Sequence, residues 1–170
     1  MPNVTLRDAT ADDTESVCAL NLAEVRHTSP MDAPRAAALA ALACYFRVAC
    51  VEDRVAAFLL AMGSGASYES DNYAWFARRY PRFVYVDRIV VSAQHRGMRL
   101  GSLLYQDLFR YARDHGFRRV TCEYNIDPPN EASRAFHATF GFREVGTQWV
   151  AGGAKHVSLQ VAQIRSPAYP

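Results

Sequence analysis

The sequence predicts an α/β protein, with a mixed β-sheet flanked by about four helices in a single domain over residues 1–170. The β-branched run Phe83–Val91 predicts a long strand, and a short polar loop follows it. Residues 101–115 then place apolar side chains at helical spacing. The predicted elements follow the order β-α-α-β-β-β-α-β-α-β-β, which is typical of a sheet covered by helices.

The first part of the chain begins with a predicted strand, Val4–Leu6, and a helix that Thr10 caps. Asp13 stands three residues after Thr10, as a capping box requires. A second helix is predicted over Ala33–Tyr45, because alanine is the strongest helix former. Two strands of a hairpin follow around a polar turn: Phe46–Val51 and Val55–Met62.

The segment from Gly63 to Arg82 is irregular and rich in aromatic residues. Within it, residues 72–79 fit one or two helical turns. Connections of this length are often functional, so a lid or binding loop is one interpretation. The alternative is that the aromatic side chains pack down as a satellite of the core.

The second half of the chain predicts a helix over Gly101–His115, with Asp107 on its polar face and Gly116 just past its end. A strand over Arg119–Asn125 follows, and Asn130 is a good N-cap for the next helix, which ends at Gly141. Two closing strands are predicted around Gly152-Gly153: Phe142–Val150 and Lys155–Val161.

Composition limits the classes of partner. Half of the 170 residues are hydrophobic, 21% are charged, and the formal net charge is +2, so we expect neither a nucleic-acid nor a membrane partner. No apolar run approaches the roughly 20 residues of a membrane span, and we expect no signal peptide. The four cysteines are scattered and predict buried thiols in a reducing compartment, hence a cytoplasmic protein without a metal site: Cys18, Cys44, Cys50 and Cys122.

The segment 83–101 predicts an anion site. A strand there delivers the chain to a helix N-terminus, where the first backbone N–H groups lack helical partners and the helix dipole favours negative charge. Arg96 and Arg99 add two cations. A pocket for a phosphorylated cofactor is one interpretation, and an ordinary turn with solvated arginines is the other.

Three local matches resemble the GNAT superfamily of acyl-CoA-dependent N-acyltransferases. Residues 89–101, IVVSAQHRGMRLG, are similar to its pyrophosphate loop, Q/R-x-x-G-x-G/A. Residues 130–142, NEASRAFHATFGF, are similar to its helix that ends in Gly-Phe before a strand. Between them, residues 120–125 correspond to one of two parallel strands that splay to admit the cofactor. The resemblance covers essentially the whole chain, and a branch of predicted bacterial acetyltransferases shares its middle segment.

The resemblance implies acetyl-CoA as cofactor. Backbone groups of Ile89 and Val91 would hold the pantetheine arm, and the N–H of Val90 or Val91 would polarise the thioester carbonyl. The loop would cradle the pyrophosphate through seven consecutive residues: Arg96, Gly97, Met98, Arg99, Leu100, Gly101 and Ser102. Further cofactor contacts are expected from the second motif region: Asn125, Asn130, Ser133 and Phe136.

Arg99 departs from the family pattern, since it stands where the loop usually has its first glycine. An arginine there must hold an ordinary backbone conformation or strain the loop by about 1 kcal/mol or more. A charge-assisted bond to phosphate would offset that strain.

Three residues are catalytic candidates. His137 stands where the family usually has a tyrosine, four residues before the helix-ending glycine, and would protonate the leaving thiolate or only hydrogen-bond the cofactor. Glu123 and Asp87 are candidates for the general base or for binding the substrate ammonium. The alternative for each carboxylate is a salt bridge, to Arg88 or Arg119.

The predicted reaction is direct attack of a primary amine, of a small molecule or a peptide, on acetyl-CoA. Aromatic faces and carboxylates suit an ammonium group. Five residues are predicted to line the acceptor site: Asn21, Tyr68, Tyr73, Trp75 and Tyr85. A homodimer is the suggested assembly, because small members of the family often pair through their C-terminal strands.

Other function classes compete with the enzyme. A catalytically silent acyl-CoA-binding sensor or interaction module is supported by the departures at Arg99 and His137. A protein for another nucleotide is disfavoured, because the chain has neither a G-x-x-x-x-G-K-[S/T] run nor a full G-x-G-x-x-G. A nucleic-acid binder is disfavoured by the nearly balanced charge.

Overall fold

A computed structural model of the chain describes residues 1–165, and the last five residues of the predicted domain lie outside the described residues. The chain divides into two compact units. The first comprises Met1–Met62 and Val86–Leu108, and the second comprises Gly63–Tyr85 and the chain from Phe109 onward.

The first unit contains β1 (Val4–Asp8), α1 (Thr14–Ala23), α2 (Ala33–Leu42), β2 (Tyr45–Val51) and β3 (Arg54–Gly63), whose last residue passes into the second unit. The predicted capping box is present and starts a 3₁₀ turn, Ala11–Asp13, that leads directly into α1: the Thr10 backbone N–H donates to Asp13 Oδ2 at 2.8 Å. Arg7 also donates two hydrogen bonds to the Asp13 carboxylate, at 2.7 and 2.8 Å. Those bonds lower the pKa of Asp13 to about 2.

The second unit contains α3 (Asp71–Ala77), β5 (Arg119–Asp127), α5 (Glu131–Ala138), β6 (Arg143–Val150) and β7 (Lys155–Gln163). Two elements pass from one unit to the other: β4 (Phe83–Val91) and α4 (Leu100–Asp114). The short helix α3 lies in the irregular aromatic segment, where one or two helical turns were predicted.

The seven strands of the described chain form one mixed sheet in the order β1-β2-β3-β4-β5-β7-β6, which confirms the predicted fold class. In the first unit, β1, β2 and β3 pair antiparallel, and the polar turn between β2 and β3 places Glu52 and Asp53 at positive φ. In the second unit, the parallel ladder of β4 and β5 pairs Phe83 with Arg119 and Tyr85 with Thr121. The splay of these strands beyond that ladder stays a prediction.

Each unit has its own apolar core. Leu39 of α2 and Leu104 of α4 are buried in the first unit with Phe58 of β3. Phe76 of α3, Phe83 of β4 and Leu159 of β7 are buried in the second. At the end of α4, Gly116 has φ +74 and the Phe117 N–H donates to the Ala112 carbonyl at 2.9 Å, which is the predicted C-terminal cap.

Several details of the predicted elements were wrong, and β1 and β7 each continue two residues beyond their predicted ends, to Asp8 and Gln163. Helix α2 ends at Leu42, because Tyr45 already pairs with Ala61 in the β2–β3 ladder. Strand β5 continues to Asp127, two residues beyond its predicted end. Asp107 is buried, because the Tyr45 hydroxyl and Arg47 donate to its carboxylate at 2.9 and 2.8 Å.

The predicted burial of the four cysteines is correct for two of them. Cys50 and Cys122 are buried, whereas Cys18 and Cys44 are half-buried. Within residues 1–165, none of the helices has the length and apolar character needed to cross a membrane.

Candidate active site

The loop between β4 and α4 keeps a glycine-like backbone despite Arg99. Ser92 begins it by accepting a hydrogen bond from the Gln94 N–H at 3.3 Å. Gly97 has φ +85 and Arg99 has φ +59, so both lie in the left-handed region that glycine favours. Arg99 therefore adopts a backbone conformation that glycine favours, and helix α4 starts at Leu100, directly after it.

The side chains of this loop fit an anionic ligand. Arg96 pairs with Glu24 at 3.3 Å, whereas Arg99 is exposed and makes no ion pair with any residue from 1 to 165. The Nδ1 atom of His95 is buried and lacks a hydrogen-bond partner in the same part of the chain. An available guanidinium and an unsatisfied imidazole nitrogen beside a helix N-terminus are consistent with a pyrophosphate group at this loop.

Asp87 lies in a buried ion pair in the first unit. Arg88 Nε donates to Asp87 Oδ2 at 2.7 Å, and both side chains are less than a tenth exposed. Arg88 Nη1 also donates to Asn21 Oδ1 at 3.0 Å and to the Ser29 carbonyl at 2.9 Å. The structure thus has Asp87 in the salt bridge that was the alternative to a catalytic role. To act as a general base, the Asp87 carboxylate would have to leave its ion pair with Arg88.

Asn21, which was predicted to contact the acceptor, is 1% exposed. Its Nδ2 donates to the Ser29 carbonyl at 2.9 Å, and its Oδ1 accepts from the Thr28 hydroxyl at 3.0 Å and from Arg88. Both ends of the amide are therefore occupied by the protein. Asn21 fixes the connection between α1 and α2 and offers no exposed surface for direct contact with a substrate.

Glu123 and Tyr85 form a polar pair in the second unit. The buried Tyr85 hydroxyl donates to Glu123 Oε1 at 2.9 Å. The half-buried Tyr68 ring lies 6.3 Å from the Tyr85 ring, measured between centroids. The structure thus brings together three residues predicted for the reaction: a half-buried carboxylate, the phenol that orients it and a second aromatic ring.

Tyr73 and Trp75 are packed as the satellite-core interpretation predicted. The Tyr73 hydroxyl donates to the Gly63 carbonyl at 2.7 Å and accepts from the Ala66 N–H at 3.0 Å. The Trp75 ring stacks under the Arg79 guanidinium at 3.7 Å. These contacts hold the aromatic segment in place, so a direct role in binding the acceptor is better supported for Tyr68 than for Tyr73 or Trp75.

His137 is 4% exposed and lies in the second unit. Its Nδ1 is 2.7 Å from the Ser133 carbonyl oxygen, and because a carbonyl only accepts, Nδ1 carries the proton. Burial lowers the pKa of His137, so the imidazole is neutral near pH 7. Its ring packs on Phe142 and Tyr124, at centroid distances of 5.3 and 5.8 Å.

The other predicted cofactor residues of the second unit lie on or before α5. Asn130 caps this helix by accepting from the Ser133 N–H at 3.3 Å, which fully explains an asparagine there. Phe136 packs edge-on against Phe140. Asn125 is buried at the end of β5 and lines a cavity with Asn130.

Sequence reasoning missed two polar networks. Arg88 was expected only as a salt-bridge partner, although it connects β4 to the α1–α2 connection. The second network joins Gln160, Ser158 and Glu144 on neighbouring strands β7 and β6. Its signal is present in the sequence, because Ser158 and Gln160 alternate with Val157, Leu159 and Val161 in a strand buried on both faces.

The model of the acetyltransferase (GNAT) family matches residues 8–142. A phosphinothricin N-acetyltransferase of Streptomyces coelicolor is 42% identical over 59 residues, and the match spans about one third of each protein (35% of this chain and 33% of that relative).

Solved structures share the fold. Ard1 from Thermoplasma volcanium superposes with a TM-score of 0.77 at 18% identity, covering 96% of this chain and 99% of that one. The yncA protein of Salmonella typhimurium, solved with its cofactor acetyl-CoA, gives a TM-score of 0.71 at 20% identity over 98% and 97% of the two chains.

The family match covers most of the sequence, so the chain belongs to the GNAT acetyltransferase family. Acetyl transfer from acetyl-CoA is the reaction of this family, which confirms the expected reaction class and cofactor.

Proposed function

We propose that the protein transfers the acetyl group of acetyl-CoA to the primary amine of a small molecule or peptide. The observation that carries this proposal is the Glu123 carboxylate, held at 2.9 Å by the Tyr85 hydroxyl beside the Tyr68 ring. Carboxylates and aromatic faces attract an ammonium group, and a carboxylate can take its proton. The phosphinothricin N-acetyltransferase relative supports an amine acceptor.

Bound acetyl-CoA supplies the thioester carbonyl. The backbone of Ile89 and Val91 would hold its pantetheine arm, and the N–H of Val90 or Val91 would donate to the carbonyl oxygen. The residues of the β4–α4 loop would bind the pyrophosphate, with Arg99 adding a charge-assisted hydrogen bond. Asn130, Ser133 and Phe136 remain proposed cofactor contacts.

Glu123 removes a proton from the acceptor ammonium, directly or through one water molecule. The neutral amine would then be able to attack the thioester that acetyl-CoA supplies, with the N–C bond formed and the C–S bond broken. Tyr85 fixes the orientation of the Glu123 carboxylate. Asp87 is a positioning residue in this proposal, because its carboxylate is already paired with Arg88.

His137 has a narrower role than that of a general acid. A neutral imidazole whose Nδ1–H is bound to a carbonyl has no proton to give from Nε2. We therefore assign His137 to packing and hydrogen bonding near the cofactor, the second of the two roles predicted for it. The leaving thiolate then takes its proton from solvent or from the attacking amine.

The experiment compares Glu123→Gln with Glu15→Gln, a matched change at an exposed carboxylate of α1. We expect Glu123→Gln to lower kcat about 10²- to 10⁴-fold on a panel of primary amines that includes phosphinothricin. Its Kd for acetyl-CoA, measured by calorimetry, should stay within about threefold of wild type, and Glu15→Gln should change neither value.

Unchanged turnover in Glu123→Gln would overturn the assigned base. Tight acetyl-CoA binding without turnover of any amine by the wild-type protein would instead favour the catalytically silent module.

A further inference from the structure

Asn125 carries a buried amide donor that the protein itself does not satisfy. The residue is 8% exposed, and its Nδ2 has no hydrogen-bond partner among residues 1–165. Its backbone carbonyl, by contrast, accepts from the Asn130 N–H at 3.0 Å. Native structures rarely leave a buried donor without an acceptor, because its desolvation is then uncompensated. The unsatisfied amide therefore indicates that an acceptor atom from a ligand belongs next to Asn125.

Strand alternation places this amide on the same face of β5 as Glu123. The two residues are separated by one position, and β5 pairs with β7 in regular register through both, with Leu159 opposite Glu123 and Val157 opposite Asn125. Residues directly opposite each other share a face of the sheet. The β7 neighbours of the amide are therefore apolar side chains, which cannot accept its hydrogen bond.

The face that carries the unsatisfied amide is also the face of the proposed acceptor site. On β4, the Tyr85 hydroxyl donates to Glu123 at 2.9 Å, and the Tyr73 ring lies 5.7 Å from the Tyr85 ring, measured between centroids. On β6, Gln148 lies opposite β7 in the same row and donates from Nε2 to Asn72 Oδ1 at 2.9 Å. The segment that contains α3 therefore contacts this face on either side of β5.

The spacing of the two groups fits an amine whose neighbouring carbon is followed by a carbonyl group. Alternate residues of a strand are about 6.6 Å apart. In an α-amino carbonyl compound, two carbon atoms join the amine nitrogen to the carbonyl oxygen, which therefore lie about 3 Å apart. With one hydrogen bond of about 2.9 Å at each end, such a compound spans the distance from the Glu123 carboxylate to the Asn125 amide.

The charges at the site favour a neutral carbonyl over a carboxylate. Glu123 brings a negative charge, whereas the Asn125 amide is a neutral donor. A ligand carboxylate held at Asn125 would lie close to the Glu123 carboxylate and be repelled by it. An amide carbonyl makes the same hydrogen bond without that repulsion, so the site suits the cationic α-amine of a peptide or of an amino-acid amide.

We propose that the acceptor is an α-amine next to a neutral carbonyl group, with its nitrogen at Glu123 and its carbonyl oxygen accepting from Asn125 Nδ2. This inference rests on the proposed function and names the substrate class of the same site. Alkylamines and lysine side chains lack that carbonyl, leave the buried amide unsatisfied and bind more weakly. Asn125 is thereby assigned to the acceptor instead of the cofactor arm.

Calorimetry of the full chain saturated with free coenzyme A tests the proposal, because coenzyme A has no acetyl group to transfer. The ligands at pH 7 are L-alaninamide, sec-butylamine, which has a similar shape but no carbonyl, and L-alanine. We expect L-alaninamide to bind at least about tenfold more tightly than sec-butylamine, and more tightly than L-alanine. Trialaninamide distinguishes the two sources of this group: binding as tight as that of L-alaninamide identifies a peptide terminus, and much weaker binding identifies a small amide.

Two variants assign the preference to Asn125, and one serves as control. Asn125→Leu removes the donor and keeps a side chain of similar size, and Asn125→Asp keeps the shape but replaces the donor with an acceptor. Asn125→Leu should weaken binding of L-alaninamide about tenfold or more, and change the Kd of sec-butylamine and of acetyl-CoA by no more than about threefold. Asn125→Asp should also lose the preference for L-alaninamide over sec-butylamine. Asn3→Leu, the same change at an exposed position, should change none of these values.

The proposal is overturned if sec-butylamine binds as tightly as L-alaninamide, if neither binds at 10 mM, or if both Asn125 variants keep the wild-type preference. It is also overturned if Asn125→Leu weakens acetyl-CoA binding tenfold and leaves amine binding unchanged, since Asn125 would then contact the cofactor arm. Equal binding of the two amines would leave the proposed acetyl transfer standing. Selective binding without turnover would instead contradict the acetyl transfer and leave the binding preference standing.

Discussion

Arg99 holds a backbone conformation that side chains with a Cβ rarely adopt. Its φ of +59° places it in the left-handed region, at a cost of about 1–2 kcal/mol relative to an ordinary conformation. Strain of this kind persists where the surrounding structure determines it, often at functional sites. The loop thus has a glycine-like backbone at Arg99 and carries a cation there.

Two substitutions of Arg99 separate the effect of its backbone conformation from the effect of its charge. Arg99→Gly and Arg99→Ala remove the same charge, but only glycine accepts positive φ without strain. We expect Arg99→Gly to be more stable than Arg99→Ala by about 1 kcal/mol in chemical denaturation. Both variants should weaken acetyl-CoA binding to a similar degree. Equal stability of the two variants would show that the loop does not require positive φ at this position.

His137 predicts a pH dependence of stability. Because burial lowers its pKa in the folded protein, the unfolded chain binds the proton more readily between about pH 6.5 and that lowered value. The free energy of unfolding should therefore fall as pH drops below about 6.5, by up to about 1.4 kcal/mol per pH unit. Urea titrations at several pH values, on wild type and on His137→Asn, measure how much of the pH dependence of the unfolding free energy comes from His137. The asparagine keeps a donor for the Ser133 carbonyl. A slope that is the same in both proteins would contradict the buried neutral imidazole.

At the scale of elements, α3 is fixed to β6 at Gly146. A Cβ built on Gly146 would lie 2.6 Å from Trp75 Cζ2 and 3.1 Å from Cη2, closer than atoms can pack. The Trp75 indole is rigid and is already stacked with Arg79. This strand position therefore requires glycine for close approach and not for backbone conformation.

Gly146→Ala should displace the Trp75 ring and destabilise the protein by about 1–3 kcal/mol. A shift in tryptophan fluorescence should accompany the loss of stability. Thr147→Ala, at the exposed neighbouring position, is the control and should change stability by less than about 0.5 kcal/mol. Wild-type stability of Gly146→Ala would mean that the indole has room to move away.

Local signals predicted most elements. The β-branched run of residues 83–91 and the apolar stripe along residues 100–112 depend only on neighbours in sequence, and β4 and α4 lie where they indicated. Asp107 could not be placed in the same way, because its burial depends on Tyr45 and Arg47, which are about 60 residues away. Periodicity gives the face of a helix but does not show which distant side chain satisfies a polar residue on it.

The sequence predicted those residues of the candidate site whose chemistry suits the reaction and whose positions also match the family pattern. Glu123 and Tyr85 were each predicted from their strands, but only pairing of β4 with β5 shows that they share a hydrogen bond. Trp75 was placed at the acceptor because of its residue type, and Asn21 because the first helix borders the acceptor site in the family that the sequence resembles. Sequence spacing does not show that Arg88 bonds to Asn21. It also does not show that Trp75 packs against Arg79 and Gly146.

At the scale of the whole molecule, family membership and the described fold agree. The family model extends over residues 8–142 and includes the β4–α4 loop, Glu123 and His137. The mixed seven-stranded sheet continues beyond it through β6 and β7. The central proposal is that this chain acetylates an amine with acetyl-CoA and uses Glu123 to remove the proton.

Mass spectrometry of the reaction products tests that claim most directly. Purified protein is incubated with acetyl-CoA that carries an isotopically labelled acetyl group and with a panel of primary amines, including phosphinothricin and short peptides. We predict that at least one amine gains the labelled acetyl group in step with the release of free coenzyme A, and that Glu123→Gln loses both signals together. Acetyl-CoA binding without a labelled product from any amine, or an equal yield of product from Glu123→Gln, would contradict the account.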